Sequence, residues 1–462
     1  MHIILLSGGS GSRLWPLSNE VRSKQFLKIL KNENGIKESM VQRVYRMIKE
    51  VDSGANITIA TSENQVPQIR EALGNKVDIS IEPCRRDTFP AIALSVAYLV
   101  KKGVSMDEPV IISPVDPYVD KDYFKMFKTL NDNVSNVNIT LMGIKPTYPS
   151  EKYGYIIPYD IVEASTDIVG AVSHASSIVG ANACEALKVS KFIEKPNESK
   201  AKELILKGAL WNSGVYAFKL SYILKKSKEL LGFDSYDDLF NNYEKLKKIS
   251  IDYAVAENEK SIQVVSYNGK WKDLGTWNTV TEAMTENING EANVLECSNT
   301  HIINELSIPI VSIGINNAVI VATPDGILVS DKNESQKIKE LVKDARPMYE
   351  KRSWGEYKVL DYKVHPNKKN SLTKELIVKP GEHISYQTHN HRMEIWTVVD
   401  GEGVFILDDV IKKVQYGDVL VIKEKSKHGI KASSELHIIE VQVGDELTED
   451  DIERIDYDWE KV

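Results

Sequence analysis

The chain opens Met1-His2-Ile3-Ile4-Leu5-Leu6-Ser7-Gly8-Gly9-Ser10-Gly11-Ser12-Arg13-Leu14-Trp15-Pro16-Leu17-Ser18. A short apolar run ended by small residues reads as a buried strand feeding a glycine-rich turn. Without Cβ atoms in the way, the glycines let backbone N–H groups close on phosphate oxygens. The turn is not a Walker A loop, because no Gly-Lys-Ser/Thr follows, and it lacks the third glycine of a dinucleotide fingerprint. Arg13, and Lys24 within Lys24-Gln25-Phe26-Leu27, add two cations. Arginine offers a bidentate fork and lysine a point charge for phosphates. Leu6, Gly8, Gly9, Gly11, Ser12, Arg13 and Lys24 are therefore candidate nucleotide-phosphate contacts. The competing reading is a tight strand-to-helix turn with surface cations.

Outward from this turn, residues 1–285 alternate β-rich and helical stretches. Met1–Leu6, Ile57–Thr61 and Pro109–Ser113 read as strands; Glu38–Lys49 and Pro90–Lys101 read as helices. Such alternation predicts an α/β, Rossmann-like, mostly parallel sheet with ligands at the carboxyl ends of its strands. The loops after Leu6, Thr61 and Ser113 are then the place for a site. Residues 286–345 carry short β-type pieces, Ile308–Ile313, Ala318–Thr323 and Ile327–Ser330, then a helical pattern over Lys332–Lys343 and a linker from Asp344 to Lys351. Residues 346–462 show many short strands broken by Gly and Asp, which predicts a small β-barrel or jelly roll.

The composition agrees with this division. A chain of 462 residues exceeds the roughly 250–300 that one core supports, so two or three domains are expected. A hydrophobic share of 42% with 27% charged excludes a disordered chain, a coiled-coil rod and a fibrous repeat. The net charge of −8 argues against a nucleic-acid partner. Cys84, Cys184 and Cys297 are scattered, as suits a reducing cytoplasm. The longest apolar run, about Ala91–Val100, falls short of the roughly 20 residues a bilayer needs, and the N-terminus has no basic region of a signal peptide. A cytoplasmic protein with no membrane partner is the expectation.

Ser7–Leu27 resembles the signature of sugar-1-phosphate nucleotidyltransferases, and specifically of mannose-1-phosphate guanylyltransferases. Further segments match in order: Glu82-Pro83-Cys84-Arg85-Arg86-Asp87-Thr88, Pro114-Val115-Asp116, Lys152-Tyr153-Gly154-Tyr155-Ile156, Phe192-Ile193-Glu194-Lys195-Pro196, Trp211-Asn212-Ser213-Gly214, Ser250-Ile251-Asp252-Tyr253-Ala254 and Trp271-Lys272-Asp273-Leu274-Gly275-Thr276-Trp277. The resemblance implies GMP transfer from GTP to mannose 1-phosphate. It also implies a Mg²⁺ ion held by Asp116 and Asp273, with Arg13 and Lys24 against the leaving phosphates. Glu82, Arg86 and Thr88 would lie near base or phosphates, and Gly154, Glu194, Asn212 and Asp273 at the sugar. Asp252 reads equally as structural, and Trp211, Trp271 and Trp277 read first as core. The same transfer with another sugar or base, and an inactive sugar-nucleotide-binding regulator, stay open. Ser23, Pro117, Arg85, Asp87 and Phe89 depart from the family pattern.

The other independent signal lies near the C-terminus. Gln387, His389 and His391 alternate, so one strand presents them on one side, with Glu394 beyond the bend and His428 later. This resembles the cupin pattern, with Gln387 in place of the first His, as in the isomerase domain of bifunctional mannose-6-phosphate isomerase/guanylyltransferases. It implies a metal held by Gln387, His389, Glu394 and His428, with His391 the alternative ligand. Mixed N/O donors suit Zn²⁺ or another divalent metal. If the barrel is active, it interconverts mannose 6-phosphate and fructose 6-phosphate, with Arg392 a candidate for stabilising the substrate or enediol. Related enzymes suggest a homodimer by analogy.

Overall fold

The structure is a computed structural model of the chain, describing residues 1–9, 12–19, 22–159, 186–342, 348–366, 369–448 and 451–461. Gly11 and Cys184 lie outside the described residues. The chain forms two compact units, one of Met1–Leu14 with Ser23–Thr285, the other of Trp15–Arg22 with Glu286–Val462. The break near residue 285 is where the texture of the sequence changes. Residues 15–22 differ from expectation, since they belong with the second unit. No helix among the described residues is long and apolar enough to cross a membrane.

Among the described residues, the main sheet of the first unit has nine strands: β1 (His2–Leu6), β2 (Asn56–Ser62), β3 (Asp78–Glu82), β4 (Pro109–Pro114), β5 (Ile139–Ile144), β6 (Tyr155–Pro158), β7 (Leu187–Ile193), β8 (Leu210–Lys219) and β9 (Ile262–Tyr267). Their order is β3-β2-β1-β4-β8-β5-β9-β7-β6. The first four are parallel, and β8 then runs antiparallel to both β4 and β5, so the sheet is mixed beyond β4. Successive residues of β1 serve opposite faces. Ile3 and Leu5 pack with helix α1 (Met40–Val51), while Ile4 packs with α2 (Thr88–Lys101). Two-sided burial explains why β1 reads as a continuous apolar run rather than an alternating one. Helix α1 starts two residues later than its periodicity suggests, because Ser39 and Gln42 form a capping box.

Strand order reverses between β1 and β4, which makes their carboxyl ends the switch point where α/β sheets bind ligands. Leu6 sits directly beside Pro114. The glycine-rich turn and the Asp116 loop therefore leave the sheet side by side.

In the second unit, Ile288–Asn289, His301–Asn304 and Ala318–Thr323 stack in parallel, as do Ala292–Leu295 and Ile310–Ile313. The segment Trp15–Arg22 is tied here: Arg22 grips Glu305 through two bonds of 2.6 and 2.7 Å, Asn19 donates to Asp325 at 2.8 Å, and the Pro16 carbonyl accepts from Thr323 at 3.1 Å. The helix expected over Lys332–Lys343 shrinks to a turn at Ser335–Lys337 and one turn at Ile338–Leu341. Residues 343–347 lie outside the described set.

The barrel follows, with strands β10 (Tyr349–Arg352), β11 (Gly355–Val364), β12 (Asn370–Val378), β13 (His383–His389), β14 (Arg392–Asp400), β15 (Glu402–Leu407), β16 (Val410–Gln415), β17 (Val419–Ile422), β18 (His428–Ala432), β19 (Leu436–Gly444) and β20 (Ile452–Arg454). One sheet runs β10-β11-β12-β19-β14-β17 and the other β16-β15-β18-β13-β20. Inward positions of β14 and β19 alternate regularly, and that alternation aims Glu394, Trp396, Glu440 and Gln442 into the interior.

Candidate functional site

A buried polar network holds the glycine-rich turn. The Ser7 carbonyl accepts from Thr61 at 3.0 Å and from Gln25 at 3.2 Å. Gln65 accepts from Thr61 at 2.9 Å and donates to Ser23 at 2.6 Å. Ser23, which departs from the family's usual proline, thus becomes a member of this network. Fixing Ser23 and Gln25 fixes Lys24 between them.

Lys24 Nζ lies 2.7 Å from Asp116 and 3.9 Å from Asp273. Asp273 reaches this place because Trp271–Asp273 pairs with Pro117–Val119, setting Asp273 beside Pro117. Burial pushes the Asp116 carboxyl up, but Lys24 outweighs it and holds the group below its ordinary value. Asp273 is raised, by burial and then by the Asp116 charge. Arg13 is exposed, yet close enough for its charge to act on both Lys24 and Asp273. Two carboxylates bracketing one ammonium form a site that demands positive charge, and their hard oxygen donors fit a Mg²⁺ ion.

Asp116 and Asp273 share a cleft of about 260 Å³ with the residues expected at the sugar. Leu6, Thr88, Asp116, Gly154, Glu194, Asn212 and Asp273 all line it. Asn212 donates from its backbone to the Gly154 carbonyl at 2.8 Å, and from its amide to Asp252 at 2.9 Å and Tyr216 at 2.7 Å. Tyr216 donates to Asp252. Asp252 therefore belongs to the cleft and orients Asn212. A Cβ on Gly154 would lie 2.5 Å from Glu194 Oε2, so only glycine leaves that carboxylate its place. Glu194 is raised by burial and then by Asp252, while Lys195 pairs with it.

Glu82 ends β3 and is buried. Tyr243 donates to it at 2.8 Å, and a Cβ built on Gly8 would lie 3.5 Å from its other oxygen. Burial pushes this carboxyl up to about 7. Arg86 is placed differently from expectation: its guanidinium donates to the Tyr243 and Glu244 carbonyls and does not line the cleft. Asp87 caps α2 by accepting from the Thr88 N–H, at a positive φ of 70°. Gly9 keeps open space around its Cα, and the backbone of Ser12 begins a short helical turn, Ser12–Leu14. Trp211 and Trp277 are core, whereas Trp271 lines the cleft. Lys152 and Tyr216, also at the cleft, were not singled out from the sequence. Lys152 sat beside the quoted Gly154, and Tyr216 four residues after Asn212; without a partner in view, neither residue type signals a ligand.

In the barrel, donor atoms of His389, Glu394 and His428 all lie within 4.8 Å of one another. His428 Nδ1 faces the Ser426 carbonyl at 3.1 Å, which assigns the proton to Nδ1. Its Nε2 is buried, lies 3.4 Å from Glu394 and has no hydrogen-bond partner among the described residues. An orphaned imidazole lone pair facing a carboxylate and a second imidazole fits a divalent metal. Arg392 donates to Glu394 at 3.0 Å. Gln387 stands 3.4 Å from His389, with its amide nitrogen facing the cluster and its oxygen accepting from Ser385 at 2.8 Å. Ligation by Gln387 therefore needs a half-turn of the amide. His391 is exposed and outside the cluster. Sequence reading missed Glu440 and Lys374, inward and opposite one another across β12 and β19. Glu440 is pushed up to about 7 by burial and by Glu394, and Trp396 bridges the two acids at 3.1 Å each.

Comparison with known proteins gives three family matches: Nucleotidyl transferase over residues 2–290, MannoseP isomerase/GMP-like beta-helix domain over 293–344, and Mannose-6-phosphate isomerase C-terminal over 339–457. Mannose-1-phosphate guanylyltransferase 2 of Escherichia coli O157:H7 is 30% identical, over 98% of this chain and 96% of that protein. The alginate biosynthesis protein AlgA of Pseudomonas aeruginosa shows the same identity and coverage. A crystal structure from Thermus thermophilus, described as a mannose-1-phosphate geranyltransferase, shares the fold with a TM-score of 0.59 at 24% identity, over 74% of this chain and 97% of that one. The chain thus belongs to the mannose-1-phosphate guanylyltransferase family of nucleotidyltransferases, in the form that carries a mannose-6-phosphate isomerase C-terminal domain.

Proposed function

We propose that the first unit transfers GMP from GTP to α-D-mannose 1-phosphate, giving GDP-mannose and pyrophosphate. A phosphate oxygen of the sugar attacks the α-phosphorus in line as the bond to the leaving pyrophosphate breaks. The attacking phosphate is largely dianionic at pH 7, with a second pKa of about 6, so no general base is needed. Placement and charge neutralisation then dominate. The observation that carries this reading is Lys24 between Asp116 and Asp273, two carboxylates that line one cleft together with Glu194 and Asn212. Asp116 and Asp273 would hold Mg²⁺, which when bound supplies positive charge to the phosphates. Arg13 and Lys24 neutralise the leaving group; Gly8, Gly9, Gly11 and Ser12 offer backbone N–H groups; Glu82 and Thr88 flank the nucleotide. Glu194 and Asn212 accept and donate to sugar hydroxyls. The test is pyrophosphate release with Mg²⁺, each nucleoside triphosphate and a panel of sugar 1-phosphates. GTP with mannose 1-phosphate should be fastest, and no release with any pair would sink the reading.

The barrel, in this proposal, interconverts mannose 6-phosphate and fructose 6-phosphate. His389, Glu394, His428 and a turned Gln387 would hold Zn²⁺ or another divalent metal, which when bound supplies Lewis acidity toward sugar oxygens. Arg392, held by Glu394 and the Thr448 carbonyl, stabilises the substrate. Conversion abolished by a chelator is the expected result. The three-part division at 285 and 345, the cytoplasmic location and a homodimer belong to the same proposal. Support for a second copy comes from the outer face of the barrel's larger sheet. There Met393, Ile395, Ile439 and Val441 point outward beside the exposed Val419 and Val421, where an antiparallel sheet is ordinarily polar.

A further inference from the structure

The barrel cavity, about 340 Å³, is lined by four cations: Arg352, Lys374, Arg392 and Arg454. Three of them face acids. Arg392 is held by Glu394, Lys374 lies 4.0 Å from Glu440, and Arg352 donates to Glu350 at 2.8 Å. The Arg454 side chain has no hydrogen-bond or ion-pair partner among the described residues. Its direction follows from register. Arg454 sits directly across from Gln387, and Ile452 across from His389. Directly opposed residues of an antiparallel pair point to the same face, so the Arg454 side chain shares the interior face of Gln387. Along the strand it stands two residues from the His389 pair, about 7 Å at 3.4 Å per residue.

Strand β14 of one sheet contacts β16 of the other. Strands β10 and β20, each last in the order of its own sheet, carry Arg352 and Arg454. Glu394 of the ligand cluster and Gln387 line the same cavity as these cations and the Ser353 and Ser385 hydroxyls, and Arg454 is exposed there. An exposed guanidinium side chain without a partner in such a cavity matches a phosphate monoester dianion, which takes a bidentate arginine.

We propose that Arg454, assisted by Arg352, forms the subsite for the phosphate of a hexose 6-phosphate, leaving the C1–C2 end of the sugar to meet His389, Glu394 and His428. This rests on the isomerase reading above and adds the residues that set which way round the substrate enters. The test uses the full chain loaded with Co²⁺, comparing wild type, Arg454→Gln and Arg454→Lys by calorimetry with mannose 6-phosphate, mannose and inorganic phosphate. Arg454→Gln should raise the Kd for mannose 6-phosphate at least tenfold and move that for mannose less than twofold. Arg454→Lys should recover part of the loss, and the Co²⁺ spectrum should stay unchanged as a check that the barrel is intact. An unchanged Kd for mannose 6-phosphate, or an equal loss for mannose, overturns the subsite. If inorganic phosphate binds as tightly as the sugar phosphate, the site is a free-anion site and the proposal fails. If the wild type turns over no mannose 6-phosphate yet Arg454→Gln loses its binding, the subsite stands and the isomerase reading falls. Turnover by both proteins with equal Kd would do the reverse.

Discussion

Replacing Glu82 by Gln should stabilise the first unit at neutral and alkaline pH. The carboxyl is buried at the end of β3 and pushed up from 4.5 to about 7 by that burial, which outweighs the bond from Tyr243. The folded state therefore holds the proton more tightly than the unfolded chain does, and unfolding releases it. Stability is highest below about 4.5 and is lost as pH rises through about 7. A tenfold change in proton affinity is worth about 1.4 kcal/mol, so the ionised group costs the fold about 3 kcal/mol above pH 7. Glutamine is neutral throughout, and its amide oxygen can keep the Tyr243 bond. At pH 8 the variant should be more stable by up to about 3 kcal/mol, and at pH 4 the two proteins should agree within about 0.5 kcal/mol. Urea unfolding read by pulse proteolysis, following fragments of the first unit at each pH, measures this. A difference that is flat from pH 4 to 8, or a variant less stable at pH 8, would refute the reasoning. The same substitution should weaken GTP binding, which would explain why a destabilising acid is kept beside the Gly8 turn.

Asp116→Ala should cut nucleotidyl transfer by about 10³-fold or more while mannose 6-phosphate conversion persists; loss of both would contradict two separate sites. Gly154→Ala introduces a Cβ 2.5 Å from Glu194 and 2.7 Å from Phe192, so kcat/KM for the sugar phosphate should fall by about 100-fold in a pyrophosphate-release assay. His389→Ala should weaken Co²⁺ binding, followed by its visible absorption, by roughly 10–100-fold or more, with transfer unaffected. Val421→Glu places a charge on the outer sheet face and should halve the mass seen by light scattering if a second copy covers that face; an unchanged mass would move the interface elsewhere.

The legible part of the protein was whatever local pattern dictates. The β1 run and the alternation of Gln387 and His389 depend on near neighbours and produced the strands expected of them, but the strand ends at His389, so His391 does not continue the alternation. Asp116 and Asp273 could be paired only by resemblance, because a short antiparallel pairing unites residues far apart in sequence. The partners of Arg86 were hidden for a related reason: carbonyls at Tyr243 and Glu244, far along the chain, take its donors. Lys374 and Glu440 look like ordinary strand residues until the register sets them opposite one another inside the barrel. Periodicity also overreached at Lys332–Lys343, where a helical pattern without a capping residue closes only short turns.

The path of Trp15–Arg22 bears on how such an enzyme can be divided. The chain leaves the first unit at Leu14, is pinned by Glu305, Asp325 and Thr323 in the second, and returns at Ser23, one residue before Lys24. A gene cut at the 285 boundary would sever this excursion from its moorings while sparing every residue of the transferase cleft. Lys24 would keep its first-unit anchors through Ser23, Gln25 and Asp116, but the loop leading into it would be unanchored. Inheritance of the two units as one reading frame is thereby favoured by the fold itself, and an engineer seeking a minimal transferase would have to keep residues 286–331 or redesign eight residues near the N-terminus.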